Sequence, residues 1–129
     1  MAGTVVVDGN NVMGAAADGW WRDRPAAVLR LLARLQCYAR ATGDAVLLVL
    51  DVPQADLPEG DAEGVTVRYA TRRGRDAADD RIRELLDEGV AGPIGVVTSD
   101  RALAADARAR GADVVGARTL LTRLDTAGC

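Results

Sequence analysis

The chain has no histidine and no lysine among its 129 residues, and only two cysteines, Cys37 and Cys129. Without histidine there is no imidazole general base and no Ser-His or Cys-His nucleophile pair; without lysine there is no P-loop ammonium to hold a nucleotide phosphate. Zinc chemistry through histidine is excluded as well. Cys37 lies among apolar neighbours in a helical pattern and Cys129 closes the sequence. Neither has metal-ligand spacing, so they read as core filler and a free tail rather than as a staple. No apolar run approaches the roughly 20 residues that span a bilayer, and the first residues lack the basic-then-apolar order of a signal peptide. These absences predict a soluble, cytoplasmic protein without membrane contact.

Carboxylate, hydroxyl, arginine and backbone remain for chemistry. At 129 residues, 49% of them hydrophobic, the chain suits one core and a single domain over residues 1–129. A site made of carboxylates binds hard cations, so Mg2+ or Mn2+ is the natural means of activating water. The net charge of -3 does not by itself suggest a nucleic-acid partner. Its distribution matters more. Acids are frequent from Asp51 to Glu63, whereas Arg68, Arg72, Arg73 and Arg75 fall within eight residues.

Thr4-Val5-Val6-Val7 is a β-branched run ending in Asp8-Gly9-Asn10-Asn11, which predicts a buried strand and a turn. Pro25 suits a first helical turn, and Val28, Leu31, Leu32 and Leu35 keep helical spacing toward Gly43. Ala45 to Leu50 is a second buried strand. The following stretch, with Pro53, Pro58, Gly60 and Gly64, reads as a loop, and Val65 to Tyr69 as a third strand. Ile82, Leu85 and Leu86 predict a helix from about Asp76 to Gly89, its first turn rich in acids that suit the helix dipole. Ile94 to Thr98 is a fourth strand, Ser99-Asp100 caps a helix running to Arg110, Asp113 to Val115 is a fifth strand, and Ala117 to Leu124 a last helix. Strands apolar on both faces, alternating with helices, imply an α/β fold: a three-layer sandwich around a parallel sheet. An order of 3-2-1-4-5 puts the first strand at the centre and the fourth beside it, with a topological switch point between their carboxyl ends.

Asp8, Asp51 and Asp100 end or follow strands, and Asp76, Asp79 and Asp80 open a helix entered from the same edge. Six carboxylates therefore collect at one rim, with Asp8 and Asp100 flanking the switch point. Such acids raise one another's pKa unless a cation neutralises them. Each could singly be a turn or cap residue, and for Asp51 the structural and functional readings balance. Asp106, four residues before Arg110, reads as half of a solvated helical pair. On the predicted helix Asp79 shares the face of Ile82 and Leu86, while Asp80 lies about 100° further round. Asp79 is thus expected to be the direct metal ligand and Asp80 the outer one.

Asp8-Gly9-Asn10-Asn11-Val12, Asp76-Ala77-Ala78-Asp79-Asp80-Arg81-Ile82 and Val97-Thr98-Ser99-Asp100, in this order and spacing, resemble the NYN domain family of PIN-like ribonucleases, in particular its YacP-like branch. The resemblance covers nearly the whole chain. It implies a PIN-like fold and a metal-dependent endoribonuclease with Asp8, Asn11, Asp79, Asp80 and Asp100 around the metal. Family members often carry a further acid three or four residues after the last aspartate, where this chain has Leu103 and Ala104. On this reading Asp8, Asp79 and Asp100 hold Mg2+ or Mn2+, with Asp76 and Asp80 nearby. Asn11 orients a ligand or phosphate, and Arg72, Arg73 and Arg75 bind the backbone of single-stranded or ribosome-exposed RNA. Trp20 and Trp21 either stack on bases or cap the core. Two other readings compete: a catalytically silent RNA- or protein-binding module, and a phosphatase with Asp8 as nucleophile. The usual phosphatases of that kind need a lysine that is absent.

Overall fold

The central strand, β1 (Thr4–Asp8), is hydrogen-bonded on both sides to parallel neighbours, β2 (Ala45–Leu50) and β5 (Ile94–Val97). In this computed structural model, which describes residues 3–129, β1 is also covered on both faces, which explains its unbroken β-branched run. Val5 and Val7 pack toward α1 (Gly9–Ala15), α2 (Arg24–Thr42) and α5 (Ala117–Thr126), while Val6 joins Val49 and Val96 beneath α3 (Ala77–Glu88) and α4 (Arg101–Ala109). The result is the expected three-layer sandwich, with a short 3-10 turn over Trp20–Arg22 before α2. No helix among the described residues is long and apolar enough to cross a membrane.

The sheet has six strands rather than five, because β3 (Gly60–Ala62) pairs antiparallel with β4 (Val65–Tyr69) at one edge. The order is β3-β4-β2-β1-β5-β6, with β6 spanning Asp113–Val115. The five parallel strands thus keep the expected sequence, and β3 extends it. Only Glu63 and Gly64 separate the paired residues Ala62 and Val65, and both have positive φ, 50° and 92°. That is the backbone of a primed two-residue hairpin turn, whose twist matches its strands. Gly60-Asp61-Ala62 has no apolar alternation, and the first turn position holds glutamate rather than asparagine or aspartate. The loop expected there therefore conceals a strand. α1 also begins directly after Asp8, where a turn was expected.

The cysteines correct a second expectation. Cys37, on α2, and Cys129, three residues beyond α5, form a disulfide with Cα atoms 5.7 Å apart across a sequence separation of 92. Spacing could not reveal it, because packing of α5 on the face shared with α2 creates the proximity. Arg34 supports the same junction, donating from Nε to the Cys129 carbonyl (3.1 Å) and pairing with Asp125 (2.6 Å). A cross-link closing so long a loop restricts the unfolded chain and is worth about 2–4 kcal/mol. Reductant should therefore lower the melting temperature of the wild type and leave a Cys37→Ser, Cys129→Ser double variant unmoved, as read by thermal denaturation. Equal melting with and without reductant would show that the bridge contributes nothing.

Candidate metal and catalytic site

Asp8 is the last residue of the central strand, and its carboxylate is inside the protein, only 4% exposed. Thr98, equally hidden at the end of β5, donates from Oγ1 to Asp8 Oδ2 at 2.9 Å and accepts the Asp100 amide at 3.1 Å. One hydroxyl therefore joins the two aspartates across the switch point. Asp100 is also the N-cap of α4, its Oδ1 accepting the Leu103 amide at 2.8 Å. Capping and a place at the rim are compatible here, because one carboxylate oxygen caps while the other stays available. Thr98 was not foreseen; the only signal was a hydroxyl residue between the apolar strand and Ser99-Asp100.

The Asp8-Gly9-Asn10-Asn11 segment has a separate physical task at each position. A β-carbon on Gly9 would stand 2.9 Å from the Val49 carbonyl oxygen and closer still to the Leu50 side chain, so only glycine lets α1 start this near β2. Asn10 and Asp51 bond reciprocally: Asn10 Nδ2 donates to Asp51 Oδ1 (2.9 Å), and the Asp51 amide donates to Asn10 Oδ1 (3.0 Å). Arg24 also pairs with Asp51 Oδ1. Asn11 Oδ1 accepts the Ser99 amide at 2.9 Å, tying α1 to the turn after β5. Asp51 thus acts as a clamp with a neutralising guanidinium, which resolves its balanced readings toward structure.

A cleft of about 250 Å³ opens at this carboxyl edge and is lined by Asp8, Asp51, Asp76, Asp79 and Asp100, with Asn10, Asn11 and Arg75. Asp80 is not among its walls. It accepts from Arg72 Nε (2.9 Å) and Arg83 Nη1 (3.0 Å), and the bonds to Arg72 hold its carboxyl below the usual range. Arg72 is committed in turn, also donating to the carbonyls of Arg73 (3.2 Å) and Arg75 (2.9 Å). These bonds brace the loop before α3, whereas Arg73 and Arg75 are exposed without a carboxylate partner among the described residues. The Asp106 carboxylate pairs with Arg83 (2.7 Å) and not with Arg110, whose carboxylate partner is Asp87 (2.8 Å) and whose guanidinium reaches only the Asp106 backbone carbonyl (3.1 Å). Leu103 and Ala104, where a further acid would be sought, are in the core.

Burial pushes the Asp8 carboxyl up; the Thr98 hydrogen bond and the Asn11 backbone oppose this, and the charges of Asp100 and Asp51 add to it. Asp79 is pushed up to about 6, first by burial and then by the charges of Asp8, Asp100 and Asp76, with Arg83 a weaker opposing influence. Asp76 opens α3 in the left-handed region at φ 60°, which aspartate tolerates better than most residues. Among the described residues, no group of three or more aspartate, glutamate or cysteine side chains is arranged as it stands to hold a metal ion. The donor chemistry nevertheless fits a hard cation: carboxylate and amide oxygens, like charges within electrostatic reach, and the nearby guanidiniums of Arg72 and Arg24 engaged elsewhere. A larger hollow of about 580 Å³ lies at the opposite edge of the sheet, but it collects Asp44 and Asp113 beside Arg108 and Arg123, a balanced set with no concentration of acids.

Because the folded state favours protonated Asp79, its contribution to stability is fully present below pH about 4 and is lost as pH rises through about 6. In metal-free buffer, Asp79→Asn should therefore melt above the wild type at pH 7.5, and the gap should close as pH falls toward 4. A gap independent of pH would remove the repulsion inferred among these acids. Gly9→Ala should lower stability by about 1–3 kcal/mol in denaturant titrations, since the β2 backbone cannot yield to the added methyl.

Comparison with known proteins concerns the family and the fold. Residues 5–128 match the YacP-like NYN domain. A tryptophan-to-leucine mutant of Rae1 (YacP) from Bacillus subtilis has a crystal structure similar to this one, with a TM-score of 0.81 and 26% identity over 99% of this chain and 77% of that one. Another crystal structure of Rae1 (YacP) from Bacillus subtilis gives a TM-score of 0.77 and 26% identity over 97% and 75% of the two chains. No curated protein matches. These similarities suggest a ribonuclease-type function. The chain belongs to the YacP-like NYN domain family.

Proposed function

We propose that the chain is a metal-dependent endoribonuclease that hydrolyses RNA phosphodiester bonds in the cleft at the carboxyl edge of its sheet. The observation that carries this reading is the meeting of Asp8, Asp79 and Asp100 in one cleft, where burial first and then the charges of the other two push the Asp79 carboxyl up. Acids grouped outside any ion pair work against their own electrostatics, and a hard cation relieves them. Mg2+ or Mn2+ bound by Asp8, Asp79 and Asp100 would supply a water of lowered pKa and a polarised phosphate oxygen.

The chain's own residues account for position and substrate contact. Thr98 holds Asp8, and the first turn of α4 holds Asp100, so neither needs ordering when substrate arrives. Asp79 has no hydrogen-bond partner among the described residues and is the adjustable member of the three. With its carbonyl oxygen on Ser99, Asn11 keeps its amide hydrogens for a phosphate oxygen or a water. Arg73 and Arg75 meet the RNA backbone through charge, which confers affinity without sequence choice. Asp80 acts at one remove, by holding Arg72 and with it the loop before α3. The competing silent RNA- or protein-binding module is favoured by one observation, the lack of a ready-made three-ligand group.

RNA incubated with the pure protein should be cut in Mn2+ and left intact in EDTA. Asp79→Asn should abolish cleavage, and Asp80→Asn should reduce it about tenfold. Cleavage that survives loss of Asp79 and dies with loss of Asp80 would overturn the assignment of roles. RNA bound equally with and without chelator, and never cut, would establish the silent module.

A further inference from the structure

The 3-10 turn before α2 presents an aromatic pair that the acidic cleft does not use. Trp21 is 63% exposed, more than any other large hydrophobic residue described. Trp20 stands edge-on to it, with centroids 6.2 Å apart and planes at 88°, and is itself packed against the core. One indole therefore braces the other, which would otherwise be a free rotor losing entropy on every contact. The Arg22 guanidinium lies 5.6 Å from the Trp21 ring centroid and has no carboxylate partner among the described residues. With Arg22 over one face, the braced, solvent-facing ring has its other face left for stacking, which matches the chemistry of a nucleotide: a π-face for the base and a guanidinium for the adjoining phosphate.

The position of the pair connects it to the cleft. Three residues after Trp21, at most about 11 Å along the backbone, Arg24 pairs with Asp51, which lines the cleft and bonds to Asn10. Arg24 Nε is buried without a partner, so this arginine is held at the rim by its ion pair and not by a complete hydrogen-bond set. Trp21 therefore belongs to the segment that leads into α2, and that segment is tied to the cleft wall through Arg24 and Asp51.

We propose that Trp21, with Arg22, is a stacking platform for an unpaired base of the RNA strand that crosses the acidic cleft, a few nucleotides from the reacting phosphate. The proposal rests on the ribonuclease reading above and adds a specificity: bases must be unpaired to stack, so single-stranded RNA is preferred to duplex. The chain contains only two tryptophans, and the partly buried Trp20 provides the internal reference.

The test is tryptophan fluorescence of the full chain in EDTA, where metal-dependent cleavage is blocked, titrated with a single-stranded oligoribonucleotide, its duplex and the corresponding free mononucleotides. A parallel anisotropy titration uses the same labelled strand. The platform predicts saturable quenching by the single strand, much weaker quenching by the duplex and by mononucleotides at equal base concentration, and loss of the quenching in Trp21→Ala. The same variant should raise Kd about tenfold, Trp21→Tyr should largely restore it, and in Mn2+ the change should appear in KM rather than kcat. Equal affinity of wild type and Trp21→Ala for RNA that the wild type cleaves would overturn the platform while leaving the nuclease reading intact; the ring would then serve another partner, such as a protein. Wild type that neither binds nor cuts the strand would overturn both.

Discussion

The carboxylate of Asp8 is withdrawn from water at the end of a strand paired on both sides, and the rest of the rim is arranged around that one buried acid. A carboxylate in such a place is tolerated only if its lone pairs are met or its charge suppressed. Thr98 meets one oxygen, and burial favours the protonated form. The hydroxyl that does so also receives the Asp100 amide, so the geometry of the second aspartate follows from the solvation of the first. Asn11, clamped to Ser99, fixes the same turn from the α1 side. Asp8, Asp100 and the start of α1 are thereby one connected unit.

The distribution of guanidiniums separates the acids that belong to the cleft from those that do not. Arg72 and Arg83 engage Asp80, Arg83 also reaches Asp106, and Arg24 engages Asp51. Such exposed or half-exposed pairs add little stability. Their consequence is positional: they anchor α3 to α4 and to the loop before α3, and they leave Asp8, Asp76, Asp79 and Asp100 outside any ion pair among the described residues, with Arg75 lining the same cleft. A chain of only modest net negative charge thus concentrates uncompensated charge in one place. Local field, not the total, is what attracts a cation there and what the flanking arginines would balance for a polyanion.

The layers, the parallel strands and the acidic rim were legible because each depends on local pattern. β-branched runs such as Thr4–Val7 tolerate only a strand buried on both faces, and Ile82, Leu85 and Leu86 repeat at a period only a helix satisfies. Asp79 and Asp80 could be ranked from helix phase alone, and the structure has Asp79 in the cleft and Asp80 on the arginines. β3 was hidden because its three residues carry no alternation and its turn opens with glutamate. The bonds of Arg72 to Asp80 and to the carbonyls of its own loop were not legible, because composition reveals a charge but not its partner. The disulfide was missed because 92 residues separate its halves.

By itself, then, the sequence determined what repeats along the chain: the five parallel strands and the four helices α2 to α5, which faces they bury, and at which edge their terminal aspartates gather, since the periods of two and 3.6 residues and the alternation of elements admit few other arrangements. Tertiary structure alone decided the pairings: Thr98 between Asp8 and Asp100, Asn10 with Asp51 and Arg24, Arg72 and Arg83 on Asp80, and Cys37 with Cys129. Hydrogen bonds, ion pairs and cross-links depend on separations of a few ångströms between residues far apart in the chain, and no pattern along the chain encodes a distance across it.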